Sequence, residues 1–409
     1  MTAAPQSGDL IAGRYQVEVV AGEGGFSIAY RAFDRETGET VVVKYPNYEG
    51  SANDPEVIDE YLRKEAEALR QIEAAGGHTN VMSLYEDATD EDPPRLVVEY
   101  VDGYELDEAI DEAGPLESSE DVRRIGVALS EAMGFLHEHE IVYRDLKPDN
   151  VVVTERDGEV TPVLIDFNTA TAFAEGEAAD GSTTILGPYK PREVADADRS
   201  ADRQGPWSDV YSVGKILLFL LKGSVPRKDG VDPRDFGADC EPYLGEIVAR
   251  ATRADPDERY PNATVMMQVL EAKDPTPPPA GTLTYLPTGE TYTVYPGDTV
   301  GRRHAEGPTP SIAIEDEEEY ISTVQIQFEL DDSGRWRVRD RSLNGTYVQA
   351  GEGWQRVLSE AGRDRLADIG EDPTDRNDEI PPTVYPIQDG DVIALVHPSY
   401  GAALRFVED

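Results

Sequence analysis

The sequence predicts a two-domain chain: a bilobal α+β domain with a β-rich small lobe and a helical large lobe, then an all-β sandwich. Three observations predict this. Apolar residues alternate with period two through residues 13–47, then take a period near 3.6 over 55–74 and again beyond Gly103. The stretch KDPTPPPAG (273–281), with four prolines in nine residues, is a stiff, extended spacer by composition. After it, short period-two runs separated by Gly, Pro, Asp or Asn turns continue to the end of the chain. The length of 409 residues suits two or three domains, each large enough for its own core.

Taken in order, RYQVEVV (14–20), IAYRAFD (28–34) and ETVVVKYP (39–46) read as paired strands joined by a glycine-rich turn and a charged hairpin. Ile58, Leu62, Leu69 and Ile72 lie on one stripe of a helix over 55–74. A strand pair follows, ending in RLVVEYV (95–101). Segment 120–138 opens on acidic residues and aligns Val122, Ile125, Leu129, Met133 and Leu136, which predicts a second amphipathic helix. In the second domain TLTYL, TYTVY, SIAIE, VQIQFEL, RWRVRD, TYVQ, DVIALV and ALRFV read as strands. Residues 351–386 are polar and acidic, and read as a long surface insertion with room for one helical turn. The predicted boundaries are a disordered tail at 1–10, a first domain at 11–272, a linker at 273–281 and a sandwich at 282–409.

The chain carries 82 acidic and 37 basic residues, a formal net charge of −45. The acidity is spread over both domains, since residues 281–409 hold 25 acids and 11 bases. Tracking a nucleic-acid backbone needs a basic patch, so nucleic acid is not an expected partner. Acidity this strong and even, with eight Lys against 29 Arg, resembles proteins of extreme halophiles, as in the haloarchaea. Cys240 is the only cysteine, which rules out an intrachain disulfide or a cysteine metal cluster. The N-terminus shows no signal peptide, and the longest apolar run, VGKILLFLL (213–221), is far short of the ~20 residues that cross a bilayer. A cytoplasmic protein without a membrane span is expected.

GEGGFSIAY (22–30) lies between two strands, where Gly22, Gly24 and Gly25 let backbone amides approach phosphates. Alone it reads equally well as a flexible hairpin turn. The residues downstream give it weight. Lys44 follows three valines in a strand, and a buried ammonium needs an anionic partner, which Glu65 on the next helix supplies. IVYRDLKPDNV (141–151) puts Asp145, Lys147 and Asn150 in one polar loop, and VLIDFN (163–168) delivers Asp166 from an apolar strand. Asn150 and Asp166 as oxygen ligands of a divalent ion, with Asp145 as an uncommitted carboxylate, suit phosphoryl transfer from Mg-ATP.

With these motifs in this order, residues 11–272 resemble a eukaryotic-type Ser/Thr protein kinase domain. The resemblance implies ATP with Mg²⁺ (or Mn²⁺) and protein substrates. Gly22, Gly24 and Ser27 match the glycine-rich loop, with serine replacing its third glycine. Lys44 matches the phosphate-holding lysine and Glu65 its helix partner. Asp145 matches the catalytic aspartate, Lys147 the lysine that stabilises the transferring phosphoryl, and Asn150 and Asp166 the metal ligands. The hinge falls on Glu99–Val101 with Val98 as gatekeeper. Ala29 and Val42 cap the adenine and Val152 forms its floor. Asp209 is expected on the catalytic-loop backbone and Arg259 against Glu193. Arg144 is the residue that pairs with a phosphate on the activation segment, for which Ser182, Thr183 and Thr184 are candidates; an exposed polar loop is the alternative for that run. Four departures stand out: Tyr143 for histidine, Asn168 for glycine, Arg192 for proline, and Leu186 at the threonine position that contacts the catalytic Asp and Lys. Asn168 is expected to take the left-handed turn. A nucleotide-binding pseudokinase scaffold is the alternative function.

In 282–409 an arginine (Arg302), a hydroxyl (Ser322) and an asparagine (Asn344) sit in turns, a set that suits a phosphate and a peptide backbone. A surface arginine and an Asn-Gly turn are also common for structural reasons alone. The order resembles a forkhead-associated (FHA) domain, with DRSLNGTYV (340–348) close to its Asn-Gly strand motif. The resemblance implies phosphothreonine binding, with Arg302 and Ser322 on the phosphate, Thr323 in the adjoining loop and Asn344 on the peptide backbone. Phosphothreonine-containing proteins become partners, and self-association through phosphorylated sites becomes available. The family's loop-bracing histidine is Gln325 here. A purely structural module is the alternative.

Overall fold

The computed structural model describes residues 5–409 apart from 52, 157, 169, 173–186, 196–203, 304–309, 317, 332, 352, 371–373 and 375–379. Its contacts separate two compact units, Met1–Pro275 and Thr276–Asp409.

The small lobe is an antiparallel sheet of β1 (Leu10–Ile11), β2 (Tyr15–Glu23), β3 (Ser27–Asp34), β4 (Thr40–Pro46), β5 (Leu84–Ala88) and β6 (Arg95–Glu99). The strand order is β1-β2-β3-β4-β6-β5. Alternation puts Tyr15, Val17, Tyr30, Ala32, Val41, Val43 and Val97 into one core. α1 (Pro55–Ala74) buries Ile58, Leu62, Leu69 and Ile72 as its stripe predicts, together with Glu65. The expected tail is too long. The Gly8 amide donates to Val17 at 2.8 Å, Val17 donates to Asp9 at 2.9 Å, and β1 pairs with β2. Buried Ile11 draws the chain before it onto the sheet edge.

The large lobe contains β7 (Tyr104–Glu105), α2 (Leu106–Ala113), α3 (Ser119–Glu138), β8 (Ile141–Val142), β9 (Val151–Arg156), β10 (Glu159–Leu164) and β11 (Thr171–Ala172), then α4 (Arg192–Ala195), α5 (Pro206–Lys222), α6 (Pro242–Ala251) and α7 (Ala263–Ala272). The Ser118 hydroxyl caps α3 by accepting from the Asp121 amide at 3.2 Å. The chain enters this lobe at Gly103, where a Cβ would collide with the Val153 carbonyl; only glycine allows the crossing. α5 is buried on every side from Ser208 to Leu221, the signature of a central helix.

The second unit has two sheets. One orders as β13-β12-β22-β21-β18-β19 and the other as β15-β14-β16-β17-β20. Their strands are β12 (Gly281–Tyr285), β13 (Thr291–Val294), β14 (Thr299–Arg302), β15 (Ile312–Ile314), β16 (Ile326–Leu330), β17 (Trp336–Asp340), β18 (Thr346–Ala350), β19 (Gly353–Val357), β20 (Val384–Pro386), β21 (Val392–Ala394) and β22 (Ala403–Glu408). Between the sheets Trp336 packs 5.3 Å from the Phe406 ring and 6.3 Å from Phe328. Residues 351–386 are not a mere surface excursion. They supply β19, which pairs with β18, a nine-residue helix α8 (Glu360–Asp368), and β20, which pairs with β17. Three buried residues, Val357, Leu358 and Leu366, hold them to the domain, and the surrounding acidity masks that signal.

Lys215 lies within α5 with no exposed surface, donating to the Lys228 carbonyl at 2.7 Å. Burial lowers its pKa from 10.5 to about 8, partly offset by Asp229. Between those two values the unfolded chain binds more protons than the folded one, so this group makes stability rise with pH. Lys215→Met should remove that rise. Urea melts of both proteins from pH 8 to 10.5 check it, and identical pH slopes would contradict it.

Candidate functional site

Strand β4 and helix α1 bring Lys44 and Glu65 together as an ion pair, and both side chains are buried. Burial opposes the charge on Lys44, but the carboxylates of Glu65 and Asp166 outweigh it and raise the pKa above the ordinary lysine value. The same Glu65 oxygen accepts the Phe167 amide at 3.3 Å, and Lys44 reaches the Ile165 carbonyl at 3.4 Å. The pair therefore ties α1 to the strand end that carries Asp166. Above it, the glycine-rich turn is closed by Gly24 donating to Ser27 at 2.9 Å and by Asn47 donating to the Gly24 carbonyl at 2.8 Å. A Cβ at Gly22 or Gly25 would meet nothing within 4 Å, so this turn faces open space. Phe26 at its tip stacks on Tyr61 of α1 at 3.9 Å.

Around the cleft beneath, Ala29 and Val42 are half-buried, while Val98, Val101 and Val152 are buried. Val42 stands opposite Val98 in the sheet. The Glu99 carboxylate takes Arg156 at 2.5 Å and the Ser83 amide at 3.1 Å, which locks the expected hinge to β9.

The catalytic loop hangs from Asp209 at the start of α5. Asp209 accepts the amides of Tyr143 at 2.9 Å and Arg144 at 2.8 Å, and sits 2.8 Å from Nε2 of His137. Arg144 is thereby held at φ +65°. Within the loop Asn150 Nδ2 donates to the Asp145 carbonyl at 2.9 Å and to its Oδ2 at 3.2 Å. Oδ1 of Asp145 is taken by Lys190 at 2.7 Å. Lys147 is instead directed at Asp149, 2.8 Å away. The Asn168 amide donates to Asp166 Oδ1 at 3.0 Å. Asn168 is not among the left-handed residues, so the expected strained turn does not form there. Tyr143 is fully buried with its ring 5.1 Å from Phe167, as a packing residue. Arg259 reaches Glu193 at 2.6 and 3.2 Å. Ser182, Thr183, Thr184 and Leu186 lie outside the described residues.

In the second unit Arg302 ends β14. Its Nε donates to the Ile321 carbonyl at 3.1 Å and its Nη1 pairs with Glu319 at 3.2 Å. A Cβ at Gly301 would overlap the Thr323 carbonyl, so glycine is what lets the Ser322–Thr323 turn close over the strand. Buried Gln325 bridges the loops, accepting from the Ser322 amide at 2.9 Å and donating to Gly345 at 3.2 Å and Thr346 at 3.0 Å. Asn344 Nδ2 faces the Tyr320 carbonyl at 3.5 Å. Arg302, Ser322, Thr323 and Asn344 thus share one loop cluster.

Comparison with known proteins gives a family match in each unit. The protein kinase domain family matches residues 15–276, and the FHA domain family matches 299–368. The chain belongs to the protein kinase domain family. It is 30% identical over 322 residues to the serine/threonine-protein kinase PknB of Mycolicibacterium smegmatis, covering 73% of this chain and 49% of that protein. It is 28% identical over 276 residues to serine/threonine-protein kinase C of Synechocystis, covering 64% and 50%. Against PrkC of Bacillus subtilis the values are 29% over 275 residues, covering 63% and 40%. The chain thus spans about half the length of the curated relatives it matches.

In this kinase domain the sequence reasoning missed one cation. Lys190 is 45 positions from Asp145 in the chain, and nothing local marks it as a partner. Its aim comes from the backbone around it: Ser212 of α5 donates to the Tyr189 carbonyl at 3.0 Å, and Pro191 is buried. Nor does anything local pair His137, at the end of α3, with Asp209.

The Lys44–Glu65 pair makes a stability prediction. Removing one member strands a buried charge, at a cost of about 3–5 kcal/mol. Glu65→Leu alone should lose an amount of that order, and Lys44→Met/Glu65→Leu should lose clearly less than the two single losses added. A double-mutant cycle from denaturant melts measures this, and strict additivity would contradict it.

Proposed function

We propose that the first domain transfers the γ-phosphoryl of ATP to Ser or Thr hydroxyls of proteins, and that the second binds phosphothreonine peptides to recruit substrates or partners. The observation that carries the first reading is the Asp145 carboxylate, fixed by Lys190 on one oxygen and Asn150 on the other beside the formed Lys44–Glu65 pair. Asp145 orients the acceptor hydroxyl and takes its proton as the oxygen bonds to phosphorus and ADP leaves. Lys190 holds that carboxylate in one orientation. Lys44 holds the α/β-phosphates, and Lys147 exchanges Asp149 for the transferring phosphoryl. The glycine-rich amides cover the phosphates, and the adenine lies between Ala29, Val42 and Val152.

Asn150 and Asp166 fit a magnesium ion. Nδ2 of Asn150 is committed to Asp145 and Oδ1 of Asp166 to the Asn168 amide, which leaves Asn150 Oδ1 and Asp166 Oδ2, two hard oxygens, as ligands. When bound, the ion neutralises phosphate charge. The intact set of Lys44, Glu65, Asp145, Asn150 and Asp166 favours turnover over a scaffold that only binds nucleotide. The net charge of −45 supports a cytoplasmic protein adapted to molar salt. Among the described residues no helix is long and apolar enough to cross a membrane.

Purified protein with labelled ATP, magnesium and KCl from 0.1 M to molar concentration tests this. Transfer should rise with KCl. Asp145→Asn should abolish it, and Lys190→Met should lower kcat by about tenfold or more with the KM for ATP little changed, as for an interaction made in the transition state. Absent transfer with retained ATP binding would establish the scaffold instead.

Arg144 supports activation by phosphorylation. Its Nε is buried without a hydrogen-bond partner, and burial lowers the pKa of its guanidinium. A phosphate on Ser182, Thr183 or Thr184 would satisfy it. Phosphosite mapping of the active protein should find modification in 182–184; full activity with those residues unmodified would contradict it.

A further inference from the structure

We propose that α8 adds a second anion-binding subsite to the phosphopeptide face, taking an acidic or phosphorylated side chain a few residues from the phosphothreonine. The inference rests on the phosphothreonine reading of this domain.

The helix is firmly docked beside the Asn344 turn. Ser359 caps it by accepting the Gly362 amide at 2.9 Å, while its hydroxyl donates to the Ser342 carbonyl at 2.5 Å and its amide to Asp340 at 2.8 Å. Arg363 ties the helix to the approach of β20 through Pro381 at 2.7 Å and Thr383 at 2.9 Å. Leu366 is buried. So anchored, the helix directs exposed Arg365 onto Asn344, with Nη1 2.5 Å from its side-chain oxygen. Arg356 of β19 approaches the same residue, donating to the Asn344 carbonyl at 3.2 Å.

Neither guanidinium pairs with a carboxylate among the described residues, in a chain with 82 acids against 37 bases. Arg302, by contrast, is met by Glu319. Contacts set the order across the face: Arg302 on the Ile321 carbonyl, Asn344 on the adjoining Tyr320 carbonyl, then Arg365 on Asn344. A peptide whose phosphate lies at Arg302 and whose backbone runs over Asn344 carries its next side chains to Arg365. A planar guanidinium there is suited to two-pronged binding of a carboxylate or phosphate.

The test uses the full chain and fluorescent peptides in constant KCl. One peptide carries a single phosphothreonine between neutral residues. The others add one Asp or one phosphoserine at each successive position on either side. At one position the added acid should tighten binding by about tenfold, the order expected of one well-formed charge-assisted pair. Arg365→Gln should erase that gain while binding the plain phosphothreonine peptide as wild type does, and Arg365→Lys should keep part of it. Equal weakening of every peptide by Arg365→Gln would reduce Arg365 to a support for Asn344 and overturn the subsite. So would a wild type that prefers no acidic position while binding the plain phosphopeptide. Wild type that does not distinguish phosphorylated from unphosphorylated peptide, with Arg302→Ala unchanged, would mean that the phosphothreonine reading itself has failed, and the subsite with it.

Discussion

Asp209 has no exposed surface, and a carboxylate in that position must have every lone pair answered by a fixed donor. Its donors are two successive catalytic-loop amides, Tyr143 and Arg144, with the His137 ring as a third neighbour. One charge at the head of the most buried helix therefore sets where the loop leaves β8. It also holds Arg144 at φ +65°, a conformation that costs a non-glycine residue about 1 kcal/mol or more. From there the loop has little freedom, and Asp145, Lys147 and Asn150 follow within six residues. The second unit repeats the device. Buried Asp340 accepts from Ser342 at 2.9 Å, Thr346 at 2.7 Å and the Ser359 amide at 2.8 Å, and so fixes the turn that carries Asn344. Burial raises the Asp340 pKa even against those three donors.

What was legible in the sequence follows from how local each signal is. β3 alternates from Tyr30 to Asp34, α1 and α3 keep one stripe, and the second half of α5 is a dense apolar run, so each of these elements is specified by its own residues. The Lys44–Glu65 pair was legible too, because a lysine after three valines demands a counter-charge and the next helix offers one. The strands β14, β19 and β20 were not read from the sequence; each is seen through its pairing, β14 with β15 and β16, β19 with β18, and β20 with β17. α8 is held by two or three apolar anchors within an acidic stretch, too few for a periodic signal. Lys190 and Arg365 were illegible for another reason. Each depends on the path of a loop relative to a residue distant in the chain, and no pattern of residue types encodes that.

The acidity of the chain sharpens the meaning of its cations. With 37 basic against 82 acidic residues, most arginines and lysines can find a carboxylate, and the functional ones largely do so with a partner from their own domain. Lys44 has Glu65, Lys147 has Asp149, Lys190 has Asp145 and Arg302 has Glu319. These pairs differ in burial. Lys44–Glu65 is sealed, and exposing either charge alone would be costly, so it acts as a fixed strut between β4 and α1. Lys147–Asp149 and Arg302–Glu319 are open to water on at least one side, where a pair is worth only ~0–1 kcal/mol and exchanges readily.

That difference gives the exposed pairs a chemical role. An incoming phosphate offers Arg302 three acceptor oxygens and up to two negative charges, whereas Glu319, with its side chain 67% exposed, offers one carboxylate already well solvated. On the phosphothreonine reading proposed above, the exchange would release little and gain more, with Glu319 shielding the arginine from weaker anions and yielding to the phosphate. Selectivity of this kind matters most in a protein that is itself densely acidic, because its own surface carboxylates are the commonest competitors for any exposed guanidinium. Lys190 and Asp145 lie between the two limits, at 10% and 18% exposure. The pair is buried enough to hold the carboxylate in one orientation and still partly open to solvent, which is what the base role proposed for Asp145 requires.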